Sequence, residues 1–379
     1  MNNWGLEKLR EELLRLLEIP SESGSEEAVL HYLEKRLQFL ELPMFRQEVA
    51  PTGSNLVLNP LPEPQLLLDA HVDTVPSCIE GKKCKLRTEG KLVFGRGAAD
   101  VKGGIAALVI ALEKLKRAKK DLSKWPVTVV FTIDEEQEGT GSATAAAHFR
   151  PTEVIALEPT NLTICPVEAG SLTVKILVTG TPAHGSEMEA GDNAITKAFV
   201  ILEKLKELPI FYQKHPLLGK NSFNVQKISG GSTELVVPQK CELIVDFRVL
   251  PEQDIEEVKK TLHTFFDKEE VKWEILDTSP PFAVSHDLQV IKKLQKGAKA
   301  ALGRSLELGG FKSWSDAENF VAAGFPAIVF GPGKLAVAHT PFEHIDLEEV
   351  KQATNILYHL FCDYLESPLK KNSSDKNTC

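Results

Sequence analysis

The chain has 379 residues, 42% hydrophobic and 26% charged, with a formal net charge of -9. That length suggests about two domains and that composition an ordinary globular protein, while the acid excess argues against a nucleic-acid partner, whose phosphates need Lys and Arg. No apolar run reaches the roughly eighteen residues of a membrane span, and the opening Met1-Asn2-Asn3-Trp4 lacks the sections of a signal peptide. Six scattered cysteines without a C-x-x-C pair fit a reducing cytoplasm better than a disulfide framework or a zinc-thiolate site, so the expected location is cytoplasmic.

Leu6, Leu9, Leu13, Leu16 and Leu17 recur at helical spacing up to Pro20. Ser25, followed by Glu26 and Glu27, reads as the N-cap of a second helix carrying Val29, Leu30, Leu33 and Leu37. Short β-type runs at 45–49 and 55–58 precede the Leu-rich run at 66–68, which ends in His71 and Asp73. Alternate strand residues face one side, so these two point together if the pleat continues.

Gly95-Arg96-Gly97-Ala98-Ala99-Asp100-Val101-Lys102-Gly103-Gly104 then opens onto an apolar helix at 105–115. Its glycines permit a tight loop, but the order of a phosphate-binding loop is absent and Asp100 would repel a phosphate. The β-branched strand at 127–133 ends in Asp134-Glu135-Glu136, and the strand at 154–157 ends in Glu158-Pro159. Adjacent acids beyond a buried strand are costly unless solvated or bound to cations. From about Val167 long β-type runs at 171–179, 222–228, 241–249 and 271–276 alternate with helical stretches at 193–205 and 254–266, the pattern of an α+β insert with an antiparallel sheet. After Pro280-Pro281 helices at 287–302, 316–323 and 347–365 flank a strand at 327–330, and the polar tail 370–379 is expected to be disordered. The expected domains are 1–166 and 281–379 together, with 167–280 inserted.

His71, Asp100, Glu136, Glu158 and His339 form a donor set of two imidazoles and three carboxylates. Such a set suits Zn²⁺, which takes nitrogen and oxygen ligands at about 2.0 to 2.2 Å, and it suffices for two ions sharing one carboxylate. Two metals roughly 3.5 to 4 Å apart polarise a carbonyl and lower the pKa of a bridging water. Glu135, next to a ligand but unassigned, is the natural general base, and Asp73 is placed to fix the His71 tautomer. His31, His148, His215, His263, His286 and His359 read as structural or exposed, His344 as without a role, and His184 on residues alone as a loop histidine. Arg248 either pairs with Glu242 or Asp246 or meets a ligand.

His71-Val72-Asp73-Thr74-Val75-Pro76, the loop 95–104, Asp134-Glu135-Glu136, Glu158-Pro159, Pro182-Ala183-His184-Gly185-Ser186 and Ala338-His339-Thr340 run in order across nearly the whole chain. Together they resemble the M20 family of dinuclear zinc amidohydrolases and peptidases, in its acetylornithine deacetylase and succinyl-diaminopimelate desuccinylase branch.

The resemblance implies an α/β zinc-peptidase-like catalytic domain, with a central mixed sheet flanked by helices, and an inserted ferredoxin-like lid and dimerisation domain. It assigns His71 and Glu158 to one zinc, Glu136 and His339 to the other, and Asp100 to both, with Co²⁺ as a substitute metal. Glu135 becomes the base, His184 the group that stabilises the oxyanion, in family dimers across the subunit interface, and Arg248 and Asn224 substrate contacts. A homodimer and a small N-acyl amino-acid substrate follow. Leu235 stands where the family often has Asn before Val-Val-Pro, and the segment 312–318 lacks the Gly-rich run of the desuccinylases, which favours a deacetylase in amino-acid, and specifically arginine, biosynthesis. The alternatives are a desuccinylase, another M20 peptidase or aminoacylase, and a non-catalytic binding relative, from which retention of Glu135 and the full donor set separates an enzyme.

Overall fold

The computed structural model describes residues 4–79 and 81–366; the tail at 370–379 lies outside them. Its described residues divide into two compact units, the first made of residues 4–79, 81–166, 284–308 and 315–366, the second of 167–283 and 309–314. Relative to the expected division, 281–283 and the short segment 309–314 join the second unit. The segment does so because Ala169 N–H donates to the Phe311 carbonyl at 2.9 Å, a long-range pairing that no local pattern announces.

The first unit is built on a mixed sheet. Its strands are β1 (Met44–Val49), β2 (Gly53–Leu58), β3 (Leu66–His71), β4 (Val127–Thr132), β5 (Glu153–Ala156), β6 (Ile164–Glu168) and, much later in the chain, β12 (Ala327–Val329). The spatial order is β1-β2-β4-β3-β5-β12-β6. β3 is parallel to both β4 and β5, and β5 to β12, while β1, β2 and β6 pair antiparallel. Every residue of β3 and β4 is buried, as expected of central strands covered on both faces.

Helices α1 (Trp4–Glu18), α2 (Glu27–Leu37), α3 (Gly103–Arg117), α7 (Gln289–Leu302) and α9 (Leu347–Glu366) share one apolar core with the sheet. Leu66, Leu68, Ala70 and Val72 face that core, so the pleat turns Asp69 and His71 to the other face. On that other side α4 (Thr140–His148) packs on α8 (Ala317–Ala322). Ser25 is not the cap of α2. The helix starts one residue later, behind Glu26, because the Ser25 N–H donates to the Glu22 carbonyl at 2.8 Å and closes a turn first.

The second unit runs β7 (Gly170–Thr179), α5 (Ala194–Lys206), β8 (Phe223–Gly230), β9 (Lys240–Val249), α6 (Ile255–Lys268) and β10 (Lys272–Ser279), followed after the return of the chain by β11 (Leu308–Phe311). Its four-stranded antiparallel sheet has the order β8-β9-β7-β10, the ferredoxin-like arrangement. The Asn193 side chain caps α5 by accepting from the N–H of Ile195 at 2.9 Å and of Thr196 at 3.2 Å. Asp254 caps α6 through the Glu256 N–H at 2.9 Å. Leu172, Val174 and Ile176 of β7, Val245 and Phe247 of β9, and Leu262 and Phe266 of α6 fill the core between these elements.

Candidate active site

The carboxyl ends of β3, β4 and β5 deliver His71, the 134–136 turn and Glu158 to one place in the first unit, where ligands of open α/β sheets collect. Loop residue Asp100 and the downstream His339 join them. His71, Glu135 and Glu158 form one group able to hold a cation, and Asp100, Glu136 and His339 a second.

Asp100 links the two. Its Oδ1 lies 3.1 Å from His71 Nε2 and its Oδ2 3.4 Å from His339 Nε2. His71 Nε2 lies 3.6 Å from a Glu158 oxygen, and His339 Nε2 3.0 Å from a Glu136 oxygen. Donor atoms spaced about 3.3 Å apart are what tetrahedral coordination at about 2.0 to 2.1 Å requires. The first group is buried; in the second Asp100 is buried, Glu136 half-buried and His339 exposed, so the pair opens to solvent on the His339 side.

The electrostatics point the same way. Burial, and then the charges of Glu158, Glu136 and Asp316, push Glu135 well above the carboxylate range despite the His71 imidazole. Burial and Asp100 do the same to Glu158. Burial works against protonation of His339, yet hydrogen bonds to Asp100 and Glu136 raise it to about 10. A set of carboxylates this close repels itself, and divalent cations are the compensation its geometry fits.

Asp73 organises the surroundings. Its Oδ1 accepts from the Glu135 N–H at 3.1 Å and its Oδ2 from the Glu136 N–H at 3.0 Å and the Ser23 hydroxyl at 2.7 Å. Its Oδ1 also lies 3.4 Å from His71 Nδ1. Asp134 enters the turn at φ 66°, a left-handed conformation that Asp tolerates better than most residues.

Three buried acids escaped the sequence reading. Asp316, preceding α8, accepts from the Ser142 hydroxyl and, at 2.9 Å, from the Thr132 hydroxyl. Asp69, two residues before His71, is pushed far up by burial and by the adjacent Asp316 charge. Glu343 is fully buried against Arg96 and the backbone of the Asp100 loop. The Asp-Ala pair at 316–317 and the Glu four residues beyond His339 were visible, but nothing local marked them as buried.

Of the remaining predicted residues, His184, Asn224 and Arg248 lie in the second unit. His184 Nδ1 accepts from the Ser186 N–H at 3.2 Å, and Arg248 is held by Asp246 at 2.7 Å.

Over 348 residues the chain is 30% identical to a [LysW]-lysine/[LysW]-ornithine hydrolase of Saccharolobus solfataricus, covering 91% of this chain and 92% of that one. It is 28% identical to an acetylornithine deacetylase of Proteus mirabilis, covering 78% and 79%. A solved dinuclear metal-binding peptidase of the M20 family from Bacillus subtilis shares the fold at a TM-score of 0.66 and 15% identity, over 96% of this chain and 99% of that one. The profile of peptidase family M20/M25/M40 matches residues 67–363, which is most of the sequence and contains every donor of the two groups, and the chain belongs to that hydrolase family.

Proposed function

We propose that the protein is a dinuclear zinc hydrolase that cleaves the amide bond of a small N-acyl amino acid, in the manner of an acetylornithine deacetylase. The observation that carries the reading is the two-sided Asp100 carboxylate, one oxygen toward each imidazole, with Glu135 buried beside it. His71 and Glu158 would hold one ion, Glu136 and His339 the other, and Asp100 both. Bound there, two divalent ions supply carbonyl polarisation and a more acidic water.

The chain's own groups do the rest. Glu135, kept basic by burial and its neighbouring carboxylates, takes the proton of the attacking water and returns it to the leaving amine nitrogen. Asp73 keeps Glu135 and Glu136 in place through their backbone N–H groups and orients His71. His184 stabilises the oxyanion, and Arg248 and Asn224 contact the substrate, Arg248 by gripping a carboxylate in the bidentate geometry a guanidinium allows. The second unit acts as lid and dimerisation domain; Phe199 and Val200, 58% and 49% exposed on α5, are the apolar side chains such an interface would cover.

Similarity to the Saccharolobus enzyme supports a second reading, action on [LysW]-lysine or [LysW]-ornithine. A panel of N-acetyl and N-succinyl amino acids and [LysW]-lysine, assayed with added Zn²⁺ or Co²⁺, separates the two. Hydrolysis of N²-acetylornithine is the expected result. Activity on [LysW]-lysine alone replaces the first reading with the second, and a purified chain that binds less than one metal ion and cleaves no amide removes both.

A further inference from the structure

Away from the two donor groups, the first unit has an open cleft of about 550 Å³ between α1, α2 and the end of α3. α3 starts at Gly103, just after the Asp100 loop, and reaches the cleft with Glu113 and Arg117, which lie about 15 to 20 Å further along the helix. Six cations line the cleft, Lys8, Arg15, Lys35, Arg36, Lys116 and Arg117, against three acids, Glu11, Glu12 and Glu113. That reverses the balance of the whole chain, whose net charge is -9.

Two of the acids are already engaged. Glu12 is 4% exposed, and its two oxygens accept from the Tyr32 hydroxyl and from Arg36 Nε, each at 2.8 Å. Glu113 accepts from Arg36 Nη2 at 2.8 Å on one oxygen, and from Arg117 at 2.7 Å and Lys8 on the other. These carboxylates form a floor that fixes Arg36, whose guanidinium also lies 5.3 Å from the centre of the Phe39 ring. At the rim Lys116 meets Glu41 at 2.7 Å. Arg15 and Lys35 are exposed and form no ion pair among the described residues.

A cation in the last turn of a helix ordinarily answers the carbonyl dipoles of its own helix. Arg15, Lys35 and Lys116 hold such positions on three different helices, and the packing brings all three to one concavity. A concave surface of one sign concentrates the opposite charge, and an anion seated there relieves the repulsion among its cations.

We propose that this cleft binds a compact oligophosphate, at a site separate from the metal centre. Guanidinium groups match phosphate oxygens in a bidentate fork, and three of the six cations are arginines. One phosphate satisfies one fork, whereas a chain of two or three spreads its charge over all three helices. No donor of the two metal-binding groups takes part, so the inference stands independently of the hydrolase reading.

Calorimetry on the full chain tests it. Inorganic tripolyphosphate, ATP and the tricarboxylate citrate are each titrated, without added magnesium, into the parent and into Arg15→Ala with Lys35→Ala. Elemental analysis matches the metal content of the two proteins, so that chelation at the metal centre cancels in the comparison. One tripolyphosphate per chain is expected, with citrate at least about tenfold weaker. Both substituted side chains are exposed, so the fold should be retained while tripolyphosphate affinity falls by about tenfold. Arg15→Lys with Lys35→Arg keeps the affinity within about threefold of the parent. Tighter binding of ATP identifies the source as a nucleotide with its base on Phe39, and equal binding identifies it as the phosphate chain alone. Citrate bound as tightly as tripolyphosphate, an affinity unchanged in the alanine variant, or no binding overturns the proposal.

Discussion

The carboxylate of Glu343, fully buried, accepts a hydrogen bond from the backbone N–H of Asp100 at 3.3 Å. The same oxygen accepts from the Ala99 N–H at 3.1 Å. The other oxygen is paired with Arg96, whose Nε donates to the Pro76 carbonyl at 3.1 Å. The residue that joins the two donor groups is thus held through its backbone by a buried ion pair. Glu343→Gln removes the charge opposite Arg96 and is expected to cost roughly 3 kcal/mol of stability. It should also weaken metal-ion binding by about ten- to a hundredfold. Urea denaturation and equilibrium dialysis measure both, and a variant with wild-type values for each would show that the clamp does nothing for Asp100.

Asp73 acts on the opposite side of the centre. Asp73→Ala frees two backbone N–H groups and the His71 ring while leaving every donor in the sequence. We expect kcat to fall and metal affinity to drop by about ten- to a hundredfold. The far-UV circular dichroism should be retained. Unchanged kinetics and metal content would remove Asp73 from the mechanism.

Glu135→Gln tests the proposed division between base and ligands. An amide preserves the shape but cannot carry a proton between water and amine, so kcat should fall by about 10² to 10⁴. Two metal ions per chain should remain, counted by elemental analysis. Loss of one ion in step with activity would instead make Glu135 a ligand, as its grouping with His71 and Glu158 allows.

Far from that centre, Asp363 on α9 is paired with Lys293 and Lys296 of α7. Burial opposes ionisation, but the two ammonium groups prevail and hold the carboxyl below its usual range. A depressed folded value stabilises above the unfolded pKa of about 3.9 and is lost as pH falls through the folded one. Asp363→Asn should therefore cost about 2 kcal/mol at pH 7. The difference from wild type should start to shrink near pH 4 and close only as pH falls through the lower folded value. Urea midpoints at pH 7, 5 and 3 follow it, and a constant difference across that range would mean the charge of Asp363 is not what stabilises α7 against α9.

Much of the first unit is legible because its chemistry sits at strand ends. A buried run that stops in His71, or in Glu135 and Glu136, announces both the strand and the polar group beyond it. In the second unit the alternating patterns made an α+β insert with an antiparallel sheet readable. Glu343, Asp316 and Asp69 were not readable, since each owes its burial to segments far away in the chain. Ser25 shows the limit on the local scale: a good capping residue loses its place when a turn closes one residue earlier. Lys312 belongs to the second unit only through a strand pairing that spans more than a hundred residues.

The position of β12 between β5 and β6 has a consequence for the chain as it leaves the ribosome. β5 and β6 are complete by Glu168, yet the strand that fills the slot between them begins at Ala327. Throughout that stretch of synthesis two apolar strand edges wait without their hydrogen-bonding partner, the condition under which unrelated chains pair with one another. The second unit can fold during the delay, because most of it is encoded inside the gap. A fragment ending before Ala327 should collect in aggregates, and supplying the remainder as a separate chain should rescue it only if added before those edges have found each other.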